Sequence, residues 1–482
     1  MRQNPLYSWN KILHSMKLSG RKFMAQPWAG GITLLACVVV AMLLANLPAT
    51  REIYHELLET NLSISIQSPI DFETGLRTID WVFPKEMTVE KFINDILMVI
   101  FFFTVGLEIK REVVCGELSS VKKAMLPVIA AAGGMAMPAL IYTFFNHGTI
   151  TAGGWGIPTA TDIAFAIGIM SILGNRVPVS LKIFLTALAI ADDLGAILVV
   201  ALFYGGHIDM LLLLIAFIFI ALVLILNSLN EKRMVYYLVP AICIWFLFYY
   251  SGIHATMSGV VMAFLIPMDA RFNKAYLDRS FKKYHRRLTD PKYIACDEDT
   301  TFPNGPQRHC LRRLGYITSN SIGMSYRLEH ALGPWVNFLI MPIFALANAG
   351  VVIPDISFFN IFQHLPGIEN AGYVGMGIFF GLLLGKPIGI TIASWIAIKL
   401  KMGAMPEKAT WTMLFAVACL GGIGFTMSIF VDTLSFGGID PAATETLRSS
   451  GKIAVLLGSL SSGILGSLLI VLLGKMKRSC PA

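Results

Sequence analysis

The sequence predicts an all-α polytopic membrane protein of about 12 transmembrane helices, with inverted repeats, two interrupted, crossing helices and a short extracytoplasmic β-hairpin. Three observations predict it. The chain is 55% hydrophobic and 14% charged, whereas soluble domains carry about 25% charged residues. Its mean hydropathy is +0.67, and apolar runs near the bilayer-crossing length of about 20 residues recur from end to end. Finally, Gly-, Pro- and Thr-rich breaks interrupt two of those runs, near Pro158 and in GGIGFTMS at 421–428.

The spans fall at about 28–48, 92–108, 124–145, 155–174, 180–204, 208–227, 234–251, 254–269, 332–352, 373–400, 411–436 and 451–474. Lys11, Lys17, Arg21 and Lys22 precede the first run, a signal-peptide-like arrangement. The run is longer than a signal core, so it reads as an uncleaved first helix. Basic residues cluster in alternate loops: the N-terminus, 110–123, Lys232 and Arg233, 271–328, 399–408 and 475–478. The positive-inside rule puts these loops and both termini in the cytoplasm. That distribution also accounts for the net charge of +8 without a nucleic-acid partner. Seven scattered cysteines form no CxxC pair and read as small buried hydrophobes.

Residues 1–482 thus form a single membrane domain with two additions. Residues 49–90 are extracytoplasmic, and the partial alternation of NLSISIQSPI suits a strand or hairpin. Residues 270–328 form a basic cytoplasmic loop, read first as a solvated, partly disordered linker. Anionic lipid is a partner its charge would suit.

Four charges lie deep in the apolar runs: Asp162, the adjacent Asp192 and Asp193, and Lys386. Each costs about 2.5–3.5 kcal/mol on insertion scales, on the order of 10 kcal/mol together, so a functional or tightly paired role is the default. Asp192 is the thirteenth residue of its span and Lys386 the fourteenth of one entering from the other face. At 1.5 Å per residue both sit about 20 Å along their helices. Asp162 is the eighth residue of its span, roughly 12 Å in. One site can therefore hold all four, with the lysine pairing one carboxylate.

Interrupted helices entering from opposite faces point to a transporter with inverted repeats, because freed backbone groups at that depth must line a cavity or face each other. Carboxylates removed from water hold protons more tightly. Together with the Thr161 hydroxyl and free carbonyls they offer hard oxygen ligands, suited to Na⁺ or Li⁺ rather than soft metals. A site that binds either H⁺ or a cation, exposed to each side in turn, exchanges one for the other. Successive helix positions differ by about 100°, so Asp192 and Asp193 face different ways.

The segments 92–118 (FINDILMVIFFFTVGLEIKREVVCGEL), 158–174 (PTATDIAFAIGIMSILG), 188–204 (LAIADDLGAILVVALFY), 251–260 (SGIHATMSGV), 341–351 (MPIFALANAGV), 381–390 (GLLLGKPIGI) and 421–430 (GGIGFTMSIF) closely resemble the NhaA-type Na⁺/H⁺ antiporters. The resemblance implies a pH-regulated, electrogenic Na⁺(Li⁺)/H⁺ antiporter of the bacterial inner membrane, with a role in pH homeostasis and salt tolerance. It makes Asp193 the core cation ligand, with Asp192 and Thr161 beside it. Lys386 pairs with Asp192 in the proton-loaded form, and Asp162 and Lys386 offset helix-end dipoles. Glu108, Glu112, Glu329 and His254 form the implied pH-sensing cluster. A homodimer supported by the outer hairpin is also implied; no cofactor and no enzymatic activity are. Three departures stand out, the first being that residues 49–90 are extended relative to the usual outer hairpin. The 270–328 loop is much enlarged, and Gly333 stands where other members often have histidine.

Other readings are a K⁺/H⁺ antiporter or a sodium-coupled solute symporter. A different class is an intramembrane aspartyl protease, which also needs two membrane aspartates. Its GxGD motif is absent, and Lys386 would disturb a shared-proton dyad.

Overall fold

The computed structural model describes residues 24, 26, 28–62, 64–67, 80–83, 87–206, 208–229, 231–289, 305–353, 372–436 and 441–479. The basic N-terminal cluster, Cys296 and Cys480 lie outside them. Cys37, Cys115, Cys243, Cys310 and Cys419 are free thiols.

Among the described residues, nine helices are long and apolar enough to cross a membrane. A tenth span is the bent pair Trp411–Gly421 and Phe425–Ser435, whose axes diverge by 49°. The expected twelve are not reached on this measure. The runs at 234–251 and 254–269 yield the shorter helices Val235–Ser251 and Thr256–Leu265. Between them Gly252 takes φ 87°, a left-handed conformation that ends the first helix and that glycine adopts without steric cost. The outer faces of the long helices are apolar and exposed, as at Leu202, Phe217 and Leu214, where hydrocarbon rather than water is the solvent.

Within 49–90, Ile64–Gln67 pairs antiparallel with Asp80–Phe83, Ile64 opposite Phe83. The connecting residues 68–79 lie outside the described residues. The 270–328 segment departs from the linker expectation. It contains two helices, Lys274–Thr289 and Gly305–Asn320, which pack on each other. Leu277 and Tyr284 lie on one face of the first, and Cys310 and Ile317 are buried on the second. An amphipathic pattern amid many charges keeps such helices below any hydropathy threshold.

Two packing features place the central residues. Helix Val374–Lys399 lies tightly against Val121–Asn146, and a Cβ at Gly133 would collide with Ala393 and the Gly389 carbonyl. Small residues let membrane helices approach this closely. In the same span, Gly381–Gly385 forms a π-turn immediately before Lys386. Pro387 cannot donate an N–H to the preceding turn and its ring crowds that turn's carbonyl; the wider π-turn absorbs the mismatch. Val336–Ile340 precedes Pro342 in the same way.

Candidate functional site

The two interrupted spans meet in the middle of the bundle. The first runs as a 3₁₀ segment, Ala152–Thr159, and restarts as an α-helix at Ile163–Leu173. The second breaks at 422–424. The gaps face each other: the Asp162 N–H donates to the Ile423 carbonyl at 2.6 Å. A Cβ on Gly424 would lie 2.8 Å from the Ala160 carbonyl, so only glycine fits there.

Asp162 ties both restarts. Its Oδ1 accepts from the Phe165 N–H at 3.2 Å, capping the first half-helix. Its Oδ2 accepts from the Thr426 N–H at 3.3 Å and from the Thr426 hydroxyl, at the start of the second. A carboxylate is stabilised at two helix N-termini at once, where N–H groups lack partners and the dipole is positive.

Thr161, one residue earlier, reaches the other side of the crossing. Its Oγ1 lies 2.6 Å from Asp192 Oδ2 and 2.8 Å from the Gly421 carbonyl, and it accepts from Lys386 Nζ at 2.8 Å. A hydroxyl has one proton to donate, so it serves either Asp192 or Gly421 at any moment. Lys386 Nζ also pairs with Asp192 Oδ2. Asp192 Oδ1 and Asp193 Oδ1 are buried without a hydrogen-bond partner. Asp193 lies within electrostatic reach of Asp192, Asp162, Glu108 and Lys386. The structure therefore brings Thr161, Asp162, Asp192, Asp193 and Lys386 together, all buried.

Free carboxylate oxygens beside a helix-end carbonyl form a hard-oxygen environment for a small cation. No group of three or more His, Cys, Asp or Glu side chains able to hold a metal ion occurs among the described residues. A separate groove of about 810 Å³, lined by residues such as Ile32, Phe165 and Leu460, is almost wholly apolar and contains no charged side chain.

At the far end of helix Val89–Cys115, Arg111 gathers three acids. It bonds Glu112 at 3.0 Å, pairs with Glu329, and stands 3.9 Å from Glu108. His254 is elsewhere. Its Nε2 lies 3.9 Å from Asp95 Oδ1 and its Nδ1 2.7 Å from Thr256 Oγ1. Asp95 is 16 residues before Arg111 on the same span, about 24 Å along a helix. The structure does not bring His254 to the glutamates.

A family model described as Na⁺/H⁺ antiporter 1 matches residues 21–470. The Na⁺/H⁺ antiporters NhaA of Shigella dysenteriae serotype 1 and Escherichia coli O1:K1 are each 40% identical over 446 residues, covering 92% of this chain and 96% of the relative. The chain belongs to the Na⁺/H⁺ antiporter family. The symporter, K⁺/H⁺ and protease alternatives have no support from these relatives.

The antiporter fold also shows residues that sequence reading passed over. Thr426 supplies both its N–H and its hydroxyl to Asp162. The sequence carried only a weak signal for this, a threonine just past a glycine break. Arg111, an ordinary basic residue at a span end, is the hub of the glutamate cluster. Asp432 is fully buried in the second half-helix, with neither oxygen hydrogen-bonded. It had the same signal as the other aspartates, an acid within an apolar run, but stood near that run's end.

Proposed function

We propose that this antiporter moves Na⁺ or Li⁺ out of a bacterial cell across its inner membrane in exchange for protons, electrogenically, with both termini cytoplasmic. Asp193 binds the cation, with Asp192 and Thr161 as further ligands. Lys386 holds Asp192 when no cation is present, and Asp162 balances the two helix N-termini at the crossing. The observation that carries this reading is the asymmetry of the adjacent aspartates. Each has one buried, unpartnered oxygen, but the other oxygen of Asp192 is held by a lysine and a threonine, whereas among the described residues no such hydrogen bond or ion pair reaches Asp193.

Glu108, Glu112 and Glu329 around Arg111 make the pH-responsive cluster of this proposal; the position of His254 beside Asp95 argues for a separate role. A homodimer through the 49–90 region and contact of the basic 270–328 helices with anionic lipid complete it. The two helices carry nine Lys and Arg against one Asp, and a leaflet of anionic lipid attracts such a segment. The test uses everted vesicles with a pH-gradient dye and added NaCl, LiCl or KCl. Dequenching by Na⁺ and Li⁺ is expected; a response to K⁺ alone would overturn the assignment.

A further inference from the structure

Asp432 lies outside the crossing. It is six residues beyond Thr426 on the half-helix Phe425–Ser435, about 9 Å along the axis, toward the extracytoplasmic end in the orientation proposed above. Its side chain is fully buried and both oxygens lack a hydrogen-bond partner. The fold leaves room for it: a Cβ at Gly451 on the last helix would overlap Oδ1 and stand 2.9 Å from Cγ.

The last helix and the helices carrying Tyr142 and Tyr204 bring titratable or charged groups to it, whereas the 3₁₀ segment Ala152–Thr159 and the helix Met341–Asn348, which also pack on this half-helix, bring none. Arg448 and Lys452, on the last helix, act on it electrostatically without bonding either oxygen. Arg448 instead donates to the Thr433 carbonyl at 2.6 Å. Lys452 is shared with Glu90 and Glu445. Tyr142 and Tyr204 are near enough to feel the carboxylate. Their hydroxyls are already committed, to Thr151 O at 2.8 Å and Gly153 O at 2.7 Å.

An ionised carboxylate cannot stay buried with both oxygens bare. Na⁺ would need several oxygen ligands there and would be repelled by the arginine and the lysine. A proton needs one lone pair. We propose that Asp432 is a proton-binding site on the extracytoplasmic limb of the broken span, separate from Asp192 and Asp193, that sets the antiporter's response to extracytoplasmic pH. A hydronium ion gives its proton to a carboxylate oxygen and leaves as water, and the neutral acid is the form a carboxyl buried without partners takes. On release a water molecule takes the proton and leaves as hydronium, and the carboxylate turns to Lys452 or Arg448. This inference rests on the proposed orientation.

The test uses proteoliposomes with the pH set separately on each side. Asp432→Asn is expected to flatten the dependence of antiport rate on extracytoplasmic pH and to remove a protonated-carboxyl infrared band. The cytoplasmic-side dependence and the Na⁺ KM stay unchanged, and Asp432→Glu keeps a response. Lys452→Met moves the extracytoplasmic midpoint alkaline by about one pH unit, as loss of a neighbouring cation requires. Lys452→Met serves as the readout where Asp432→Asn fails to fold. If the flattening occurs on the cytoplasmic side, the site stands and the orientation falls. A raised Na⁺ KM with an unchanged pH response would overturn the proposal, as would a folded Asp432→Asn with both profiles intact.

Discussion

Asp162 gives the most direct measure of what holds the crossing. Three donors converge on it: the Phe165 N–H at 3.2 Å on one oxygen, and the Thr426 N–H at 3.3 Å and hydroxyl on the other. Hydrogen bonds to a charged acceptor contribute about 1.5–3 kcal/mol each. Asp162→Asn leaves one acceptor oxygen and turns an NH₂ group toward donors. With its oxygen toward Thr426 it keeps two bonds, weakened, and leaves the Phe165 N–H facing a donor. The expected loss is about 2–4 kcal/mol. Asp162→Ala loses all three bonds, with an upper bound of about 9 kcal/mol. At about 2 °C per kcal/mol for a large chain, the Asn variant melts roughly 4–8 °C lower in detergent, and the Ala variant lower still or not as a folded species. The same series is read by Na⁺-evoked dequenching in everted vesicles, where the order wild type, Asn, Ala is expected. An Asn variant that melts with the wild type would refute the claim that the carboxylate joins the two half-helices.

Three further outcomes follow from the same geometry. Asp193→Asn removes the charge but not the shape of a residue whose Oδ1 has no partner; it abolishes Na⁺- and Li⁺-evoked dequenching while melting within a degree or two of wild type, and retained transport would remove Asp193 as the ligand. Gly424→Ala forces a methyl group toward Ser428 Oγ, the Ala160 carbonyl at 2.8 Å and Leu382 Cδ2 at 3.0 Å; overpacking costs about 1–3 kcal/mol, and a variant with unaltered melting and turnover would contradict the contact described. Arg111→Ala leaves Glu108, Glu112 and Glu329 without their shared cation. It shifts the pH profile of antiport more than its maximal rate, at about 1–2 kcal/mol given the partial exposure of the pair. An unshifted profile would detach the cluster from pH sensing.

Hydropathy made the membrane architecture legible because each long helix must be apolar both toward lipid and toward the neighbours it packs against. The central charges were legible for the converse reason: Asp162, Asp192, Asp193 and Lys386 stand out against runs that should contain none. Both broken spans announced themselves through Pro158 and the glycines at 421–424. Partnership was not legible. Nothing in the spacing says that Arg111 meets Glu329, which lies 218 residues away, or that His254 sits with Asp95 instead. Nor does hydropathy find Lys274–Thr289 and Gly305–Asn320, since helices that bury a face only against each other need few apolar residues. The run over 234–269 is long enough for two crossings on paper, but Gly252 and the turn around it leave Thr256–Leu265 with 10 residues.

The charge count at the crossing explains why exchange rather than leak is the economical behaviour. Asp162 is matched by two helix N-termini, and Lys386 by Asp192. On the proposed assignment, Asp193 remains one unmatched negative charge in a site sealed from water. Leaving a buried charge uncompensated costs several kcal/mol, so the ionised, empty site is the state least able to reorient. One Na⁺ or one proton removes the deficit, and either loaded form crosses at lower cost. A cation that takes Asp192 as a second ligand must also displace Lys386 from it, and on this proposal the freed ammonium then gives up a proton, which ties cation entry to proton exit. Helix geometry permits this division: two adjacent positions turned about 100° apart let one aspartate hold the lysine while the other stays open. Asp193→Asn balances the charge permanently, so the variant keeps its fold and loses the reason to exchange.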